Sequence, residues 1–361
     1  MRWPWQRRAS GDLLVCSWVA PTFSFVQARS QNGAWTISKM GLVQMGSDAL
    51  AGFQQRLKNT GLKGAQAVIM LRGDQYQFLQ IDKPKVQPEE LRAAARYQVR
   101  DLLHSHVDDV TIDLVDVGDG THQVNSNHSF VVAALNSVVQ EATELAYAMD
   151  WNMSVIDIQV MAQRNLQSAL ARQDGQPGRA NAALVVVPGQ QALLTFSAND
   201  ELFYARQFDV PEGFLTDTWG QAVEAMAPVD GFTPVEEYVP SHGSGDISLG
   251  HDMAATPAPS PVRQDAFHAK DDSAQRFLVE VQRSLDVWDR TWSGLPLSGF
   301  RVYAGARSAE LAQWLTRQLG QNVAALEVGA LFAGFAAAPA DEQMACLPLL
   351  GIFLRTEGSS A

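Results

Sequence analysis

Cysteine is nearly absent from this chain, with two residues in 361, Cys16 and Cys346. Both sit in apolar stretches, so they read as buried thiols in a reducing compartment rather than as a disulfide or a metal site. Positive charge is also scarce: 27 Lys and Arg stand against 39 Asp and Glu, a net charge of −12. Such a surface repels phosphate backbones and excludes nucleic acid as a main partner. Long hydrophobic runs are missing, since no apolar stretch reaches the ~18 residues needed to span a bilayer. Arg7 and Arg8 precede Leu13–Val26 as they would precede a secretory signal, but Ser17, Pro21, Thr22 and Ser24 break that core. A lipoprotein reading of Leu13-Leu14-Val15-Cys16 fails at Val15, where a small residue is required. No Gly-x-Ser-x-Gly elbow occurs, and no Ser–His–Asp or Cys–His arrangement has a context for nucleophilic catalysis. The expected location is the cytoplasm.

What is present is a duplicated pattern. Leu13–Trp18, Phe23–Gln27 and Trp35–Met40 read as three short strands, and Ala183–Val187, Ala192–Ser197 and Leu202–Phe208 read as three more. Each triplet has a Pro-containing first turn (Ala20-Pro21-Thr22; Pro188-Gly189-Gln190) and a polar second turn (Gln31-Asn32-Gly33; Ala198-Asn199-Asp200). Such turns between runs of β-branched and aromatic residues mark hairpins. An apolar content of 46% with 18% charged residues fits a folded chain, and its length accommodates two domains. Two meanders, each followed by helical sequence, predict two related α/β halves facing across a cleft. The first is expected over 1–172 and the second over 180–361, with the Gly-, Pro- and polar-rich Gln173–Arg179 as the hinge.

Further signals refine this layout. Ser47 predicts a cap for a helix running to Asn59, with Leu50, Phe53 and Leu57 on its buried face. Ala67–Leu71 and Gln77–Ile81 read as strands around an Arg72-Gly73-Asp74 turn. Pro88 opens a helix at the position where a missing N–H costs nothing, and Glu89 and Glu90 suit its positive end. Leu91, Ala95, Val99 and Leu102 form its apolar stripe, and the alternating Thr111–Val117 follows. This helix and strand predict a small subdomain inserted over about 83–117. Strands are expected at Ser129–Ala134, Phe300–Tyr303 and Val323–Leu326, and helices at Ser137–Met149, from Val155–Asp157 through Leu170, at Ser273–Thr291 and at Ser308–Leu319. Between them, 228–272 is rich in Pro, Ser, Gly, His and Asp without periodicity and predicts a flexible insertion.

Two clusters suggest ligands. His104, His106, Asp108 and Asp109 carry metal-ligand chemistry, but they follow a helix end, where histidines commonly meet unpaired carbonyls, and no metal is expected. Trp3 and Trp5, set among Arg2, Arg7 and Arg8, have the composition of a membrane contact, with a frayed terminus as the alternative.

Three segments resemble the PilM family, the actin-like cytoplasmic proteins of type IV pilus assembly, and most closely its MSHA-pilus branch, MshI. The first, IDKPKVQPEELRAAARYQVRDLLHSHVDDVTIDLVDV (81–117), is similar to the family's inserted subdomain. VEVQRSLDVW (279–288) resembles its Arg-Ser-Leu helix, and RVYAGARSAELAQWLTRQLGQNV (301–323) its Gly-Gly turn with the following helix. The resemblance implies an actin-like (ribonuclease-H-like) ATPase fold of two duplicated halves. It also implies a scaffold in a pilus assembly platform, peripheral at the inner membrane through its partners. The principal partner would be the cytoplasmic N-terminal tail of a PilN-like inner-membrane protein, with other platform proteins nearby. On this reading the tail lies between the first half and the inserted subdomain, against Leu91, Tyr97, Leu102 and Leu103.

The chain departs from the family where nucleotide would bind. Nucleotide-binding members carry Asp-x-Gly in the first hairpin of each half, because a carboxylate holds Mg²⁺ and glycine admits backbone N–H groups to the phosphates. Here the first hairpin offers Cys16-Ser17-Trp18, the second Val187-Pro188-Gly189-Gln190, and the adenosine-side turn Ala304-Gly305. The expectation is a degenerate nucleotide cleft at Ser17, Gly189, Gln190 and Gly305, no cofactor, and a pseudo-ATPase rather than an enzyme. The alternatives are an active actin-like ATPase that binds ATP and Mg²⁺ with divergent loops, or a type II secretion GspL-like cytoplasmic module. The absence of a transmembrane helix before Ala361 weighs against the GspL reading.

Overall fold

The structure, a computed structural model, describes residues 12–31, 33–46, 50–117, 127–187, 189, 191–219 and 264–355. The expected cap Ser47 and residues 228–263 of the expected insertion 228–272 lie outside them; 264–272, expected as flexible, instead open a helix that runs Gln264–Thr291.

The first meander forms as strands longer than the sequence suggests: β1 (Leu13–Val19), β2 (Thr22–Gln31) and β3 (Ala34–Gln44). Helix α1 (Leu50–Asn59) leads to β4 (Gln66–Leu71), which lies parallel to β1. Next comes β5 (Tyr76–Asp82), then α2 (Leu91–Val99) after a short 3₁₀ turn at Pro88–Glu90, then β6 (Val110–Asp116) and β7 (His128–Leu135). Helix α3 (Asn136–Ala148), β8 (Asn152–Ile158) and α4 (Gln159–Gln173) close the first half. The second half repeats the plan with β9 (Ala180–Val185), β10 (Ala192–Ala198), β11 (Glu201–Phe208), α5 (Gln264–Thr291), β12 (Leu297–Tyr303), α6 (Ser308–Leu319), β13 (Val323–Ala325), β14 (Phe332–Ala333) and α7 (Ala340–Phe353).

The duplication is explicit in the sheets. The first runs β3-β2-β1-β4-β8 with β14 added beside β3, and the second runs β11-β10-β9-β12-β13. In each, the second strand is antiparallel to its neighbours and the last three strands are mutually parallel. The meander turns behave as their residues dictate: Gly33 (φ 83°) and Asn199 and Asp200 (φ 52° and 64°) supply left-handed conformations for the polar turns.

Three features differ from the sequence reading. β4 and β5 do not form a hairpin, because β5 pairs with β7 in a third sheet of order β5-β7-β6. That sheet draws on residues 76–135, so the inserted unit extends beyond 83–117 on both sides. The halves also interlock, since β14, from the second half, pairs with Trp35 and Thr36 of β3.

The interlock continues in the helices. α7 packs on β1, β2 and β3 of the first sheet, while α4 packs on β9, β10 and β11 of the second. One buried core accordingly mixes Val15, Val26 and Met70 with Val185, Leu347 and Phe353. The helices cross where Gly351 meets the backbone of Ala162, and a Cβ on Gly351 would stand 1.7 Å from that carbonyl oxygen.

Candidate functional site between the halves

A cleft of about 700 Å³ opens where β1, β4 and α4 meet the turns of the second half. Val19 and Gly73 line one side, and Gly189, Gln191 and Asp209–Thr216 the other. Its carboxylates are Asp74, Asp209 and Glu212, and its one arginine is Arg72. Backbone with positive φ at Gly189 (69°) and Gly213 (80°) curves the second half's rim.

Arg72 decides the chemistry of the floor. It follows the apolar run of β4 directly, so its side chain enters the interior and is only 2% exposed. Its Nε donates to Ser17 Oγ at 2.8 Å, and its Nη2 donates to Ser24 Oγ at 3.2 Å and to the carbonyl of Ala345 at 2.8 Å. Its Nη1 has no partner. Burial is the main force lowering its pKa, to about 10, so the guanidinium remains charged at neutral pH. Ser17 and Ser24 Oγ lie 3.1 Å apart, and the arginine uses both. The guanidinium thus fastens the first hairpin to α7.

Consecutive residues of α7 complete this fastening. Met344 covers the turn after β12, so a Cβ on Gly305 would lie 2.3 Å from Met344 Cε. Ala345 holds Arg72, and Cys346 Sγ faces the carbonyls of Phe25 and Gly41 at 3.6 and 3.8 Å. Burial pushes the Cys346 thiol up to about 12, keeping it protonated and unreactive.

The four residues expected at a nucleotide cleft therefore separate. Gly189 lines the cleft with nothing within 4 Å of its would-be Cβ. Ser17 is fully buried beneath the floor and committed to Arg72, and Gly305 lies under Met344. Gln190 is outside the described residues, as are Trp3 and Trp5. Asp12, the acid nearest the first hairpin, is bound to Arg29 Nε and Ser38 Oγ, each at 2.7 Å, at the strand's opposite end. Among the described residues no group of three or more His, Cys, Asp or Glu could hold a metal ion. His106 Nδ1 accepts the N–H of Asp108, whose carboxylate takes Arg96 at 2.7 Å. The residues present therefore do not fit a Mg²⁺-nucleotide held through the first hairpin.

A second groove, about 640 Å³, adjoins the first and lies between the third sheet and the second half. It shares Gly73, Asp74, Gln191, Leu193 and Gln207 with the cleft and adds, among others, Phe78, Leu102 and Leu135. Of the four expected partner contacts, Leu102 alone lines it. α2 ends at Val99, so Leu102 departs from the helical stripe and is 53% exposed. Tyr97 points outward at 75% exposure beneath the Arg100 guanidinium, Leu103 packs into the subdomain core, and Leu91 is half-buried. Sequence reasoning missed Arg72, Gln191, Gln207, Asp209 and Glu212. The one available signal was the arginine ending an unbroken apolar strand.

No protein-family model matches the chain, and no curated protein matches its sequence. Among solved structures it is similar to the PilM–PilN type IV pilus biogenesis complex, with 14% identity, a TM-score of 0.64, and coverage of 96% of this chain and 98% of that one. It also matches a Bacteroides thetaiotaomicron protein of actin-like ATPase fold and unknown function, at 10% identity, TM-score 0.46 and coverage of 94% and 96%. A third match is the cytoplasmic domain of EpsL, an inner-membrane component of the Vibrio cholerae type II secretion system, at 11% identity, TM-score 0.41 and coverage of 60% and 79%. Among the described residues no helix is long and apolar enough to cross a membrane. The duplicated sheets, the inserted third sheet and the full-length likeness together give this chain a PilM-like, actin-like fold.

Proposed function

We propose that this protein is a cytoplasmic scaffold of a bacterial pilus or secretion assembly platform, most specifically an MSHA-like type IV pilus. It would bind the N-terminal tail of a PilN-like inner-membrane protein and sit at that membrane through its partners. The carrying observation is the likeness to PilM over 96% of the chain, inserted subdomain included. The subdomain itself offers the surface such a role needs. Val86, Tyr97, Leu102 and Leu135 are exposed large hydrophobic residues of the inserted unit or its flank.

On the same reading the cleft is a degenerate nucleotide site and the protein a pseudo-ATPase. Phosphoryl transfer depends on a metal and on positioned donors around the developing charge. The committed Ser17, the covered Gly305 and the three carboxylates lining the cleft all oppose a bound polyphosphate.

Calorimetric titration tests both parts. The expected result is saturable heat with a synthetic PilN-like tail and none with ATP and Mg²⁺ in the same folded sample. Absence of tail binding would overturn the scaffold reading, and Mg²⁺-dependent ATP binding would overturn the degenerate cleft.

A further inference from the structure

We infer that the cleft between the halves takes a small organic dication of the linear diamine or polyamine class, with ammonium groups at Asp209 and Glu212 and an N–H donated to the amide of Gln159. This rests on the reading of the cleft as a degenerate nucleotide site and names the class of ligand that occupies it instead.

Charge selects the class. Asp74, Asp209 and Glu212 are the carboxylates of the described lining and Arg72 is its one cation, which leaves two negative charges in excess. Arg72 and Asp74 form the balanced pair: the carboxylate supports the charged guanidinium, which turns inward to Ser17, Ser24 and Ala345. The excess therefore sits on the opposite wall, at Asp209 and Glu212. Both are exposed, and neither makes an ion pair among the described residues. Gln191 Nε2 donates to Asp209 Oδ1 at 2.9 Å and holds that carboxylate at the rim.

An unpartnered side chain marks the interior of the cleft. Gln159, the first residue of α4, lines the cavity and is 5% exposed, and its amide makes no hydrogen bond among the described residues. Gln163 and Gln167 follow it one and two turns along the same helix face, and both bond to the second sheet. Of these three amides, Gln159 alone is turned to the cavity. A buried amide left unpaired is unfavourable, and a ligand N–H on its oxygen removes that penalty. The half-buried amide of Gln207, also without a hydrogen bond among the described residues, is a second acceptor on the same walls.

Shape separates an organic dication from a metal ion. Among the described residues no group of three or more His, Cys, Asp or Glu could hold a metal ion, so the three carboxylates do not converge on a point. A chain with separated ammonium groups reaches carboxylates that stand apart. Val210 and Pro211, between Asp209 and Glu212 in sequence, are half-buried and line the cavity, as is Leu215, giving methylene groups an apolar strip.

Calorimetric titration of the whole protein with spermidine at low salt tests this, with L-lysine as the ligand whose own carboxylate offsets its charge. Saturable one-to-one heat is expected with spermidine, and affinity about tenfold lower with L-lysine. Asp209→Asn combined with Glu212→Gln should weaken spermidine binding about tenfold, less as salt rises. Gln159→Leu should weaken it about threefold while leaving its salt dependence unchanged, and Gln207→Ala reads the second amide if Gln159→Leu does not fold. Three results overturn the inference: no saturable heat with spermidine, binding indifferent to the double carboxylate variant, or displacement of spermidine by an equal concentration of Mg²⁺. If ATP with Mg²⁺ is also without heat, the degenerate-cleft reading stands and the dication alone falls. Mg²⁺-dependent ATP binding overturns both.

Discussion

The two crossing helices do the same job with opposite chemistry. α7 meets the first sheet with Cys346, Leu347, Leu349, Leu350, Ile352 and Phe353, an apolar face requiring no partners. α4 meets the second sheet with buried amides. Gln163 Nε2 donates to the carbonyls of Ala183 and Leu193 and to Thr195 Oγ1 at 2.8–3.0 Å, and Gln167 binds Asn181 and Thr195. A buried polar network specifies register and orientation when fully satisfied and is costly when broken, whereas an apolar face tolerates sliding. α4 therefore sets how the second half is held, while α7 depends on its crossing point and on Arg72 for its position.

The sharpest way to break this pairing is at the crossing. Gly351→Ala drives a Cβ into backbone that has no room to yield, and a loss of about 3 kcal/mol or failure to fold is expected in thermal melts. Gly329→Ala, with nothing within 4 Å of the new atom, serves as the neutral control. Next, Gln163→Leu removes the donor to Thr195 Oγ1 and to two sheet carbonyls, while Thr195 keeps its bond to Gln167, and should cost about 2 kcal/mol in urea unfolding. A methyl-for-thiol change on α7, Cys346→Ala, should cost less, about 1 kcal/mol, and a smaller loss at Gln163 than at Cys346 would reverse the proposed contrast.

Arg72→Met removes three hydrogen bonds but also a buried charge lacking a carboxylate, so the two effects partly cancel. A destabilisation of about 1 kcal/mol is expected, with faster reaction of Cys346 toward a thiol reagent, because Ala345 loses its anchor. The pH dependence has a definite sign. The Cys346 thiol is raised from 9.0 to about 12 in the folded protein, so its stabilisation is complete below pH 9 and falls as pH rises from 9 toward 12. Cys346→Ala should flatten that fall in melts from pH 8 to 10.5. The smallest effect belongs to Tyr97→Ala, which lies 75% exposed and should leave stability within about 0.5 kcal/mol.

The helices and meanders were legible because their signals are local. Period-2 runs between Gly, Asn and Pro turns specify strands in any context, and α6 appears at Ser308–Leu319, where a helix is expected. The subdomain boundary was misplaced because β5 reads as the natural hairpin partner of β4. Pairing with β7, about fifty residues further along the chain, leaves no local mark. The candidate site was legible only at Gly189 and Leu102. Arg72-Gly73-Asp74 looks like an ordinary turn, and nothing local shows that the arginine folds inward while the aspartate faces two grooves.

The sequence alone therefore determined the duplicated α/β halves, the inserted unit and the missing acid of the first hairpin, since each rests on residue type and spacing over a few turns of chain. The tertiary structure decided which helix packs on which sheet, that Arg72, Ser17 and Ala345 meet although 273 positions separate the arginine from the alanine, and that two strand edges border one groove. Those outcomes depend on the burial of faces from distant segments against one another. That free energy belongs to the packed whole and is written in no short stretch of residues.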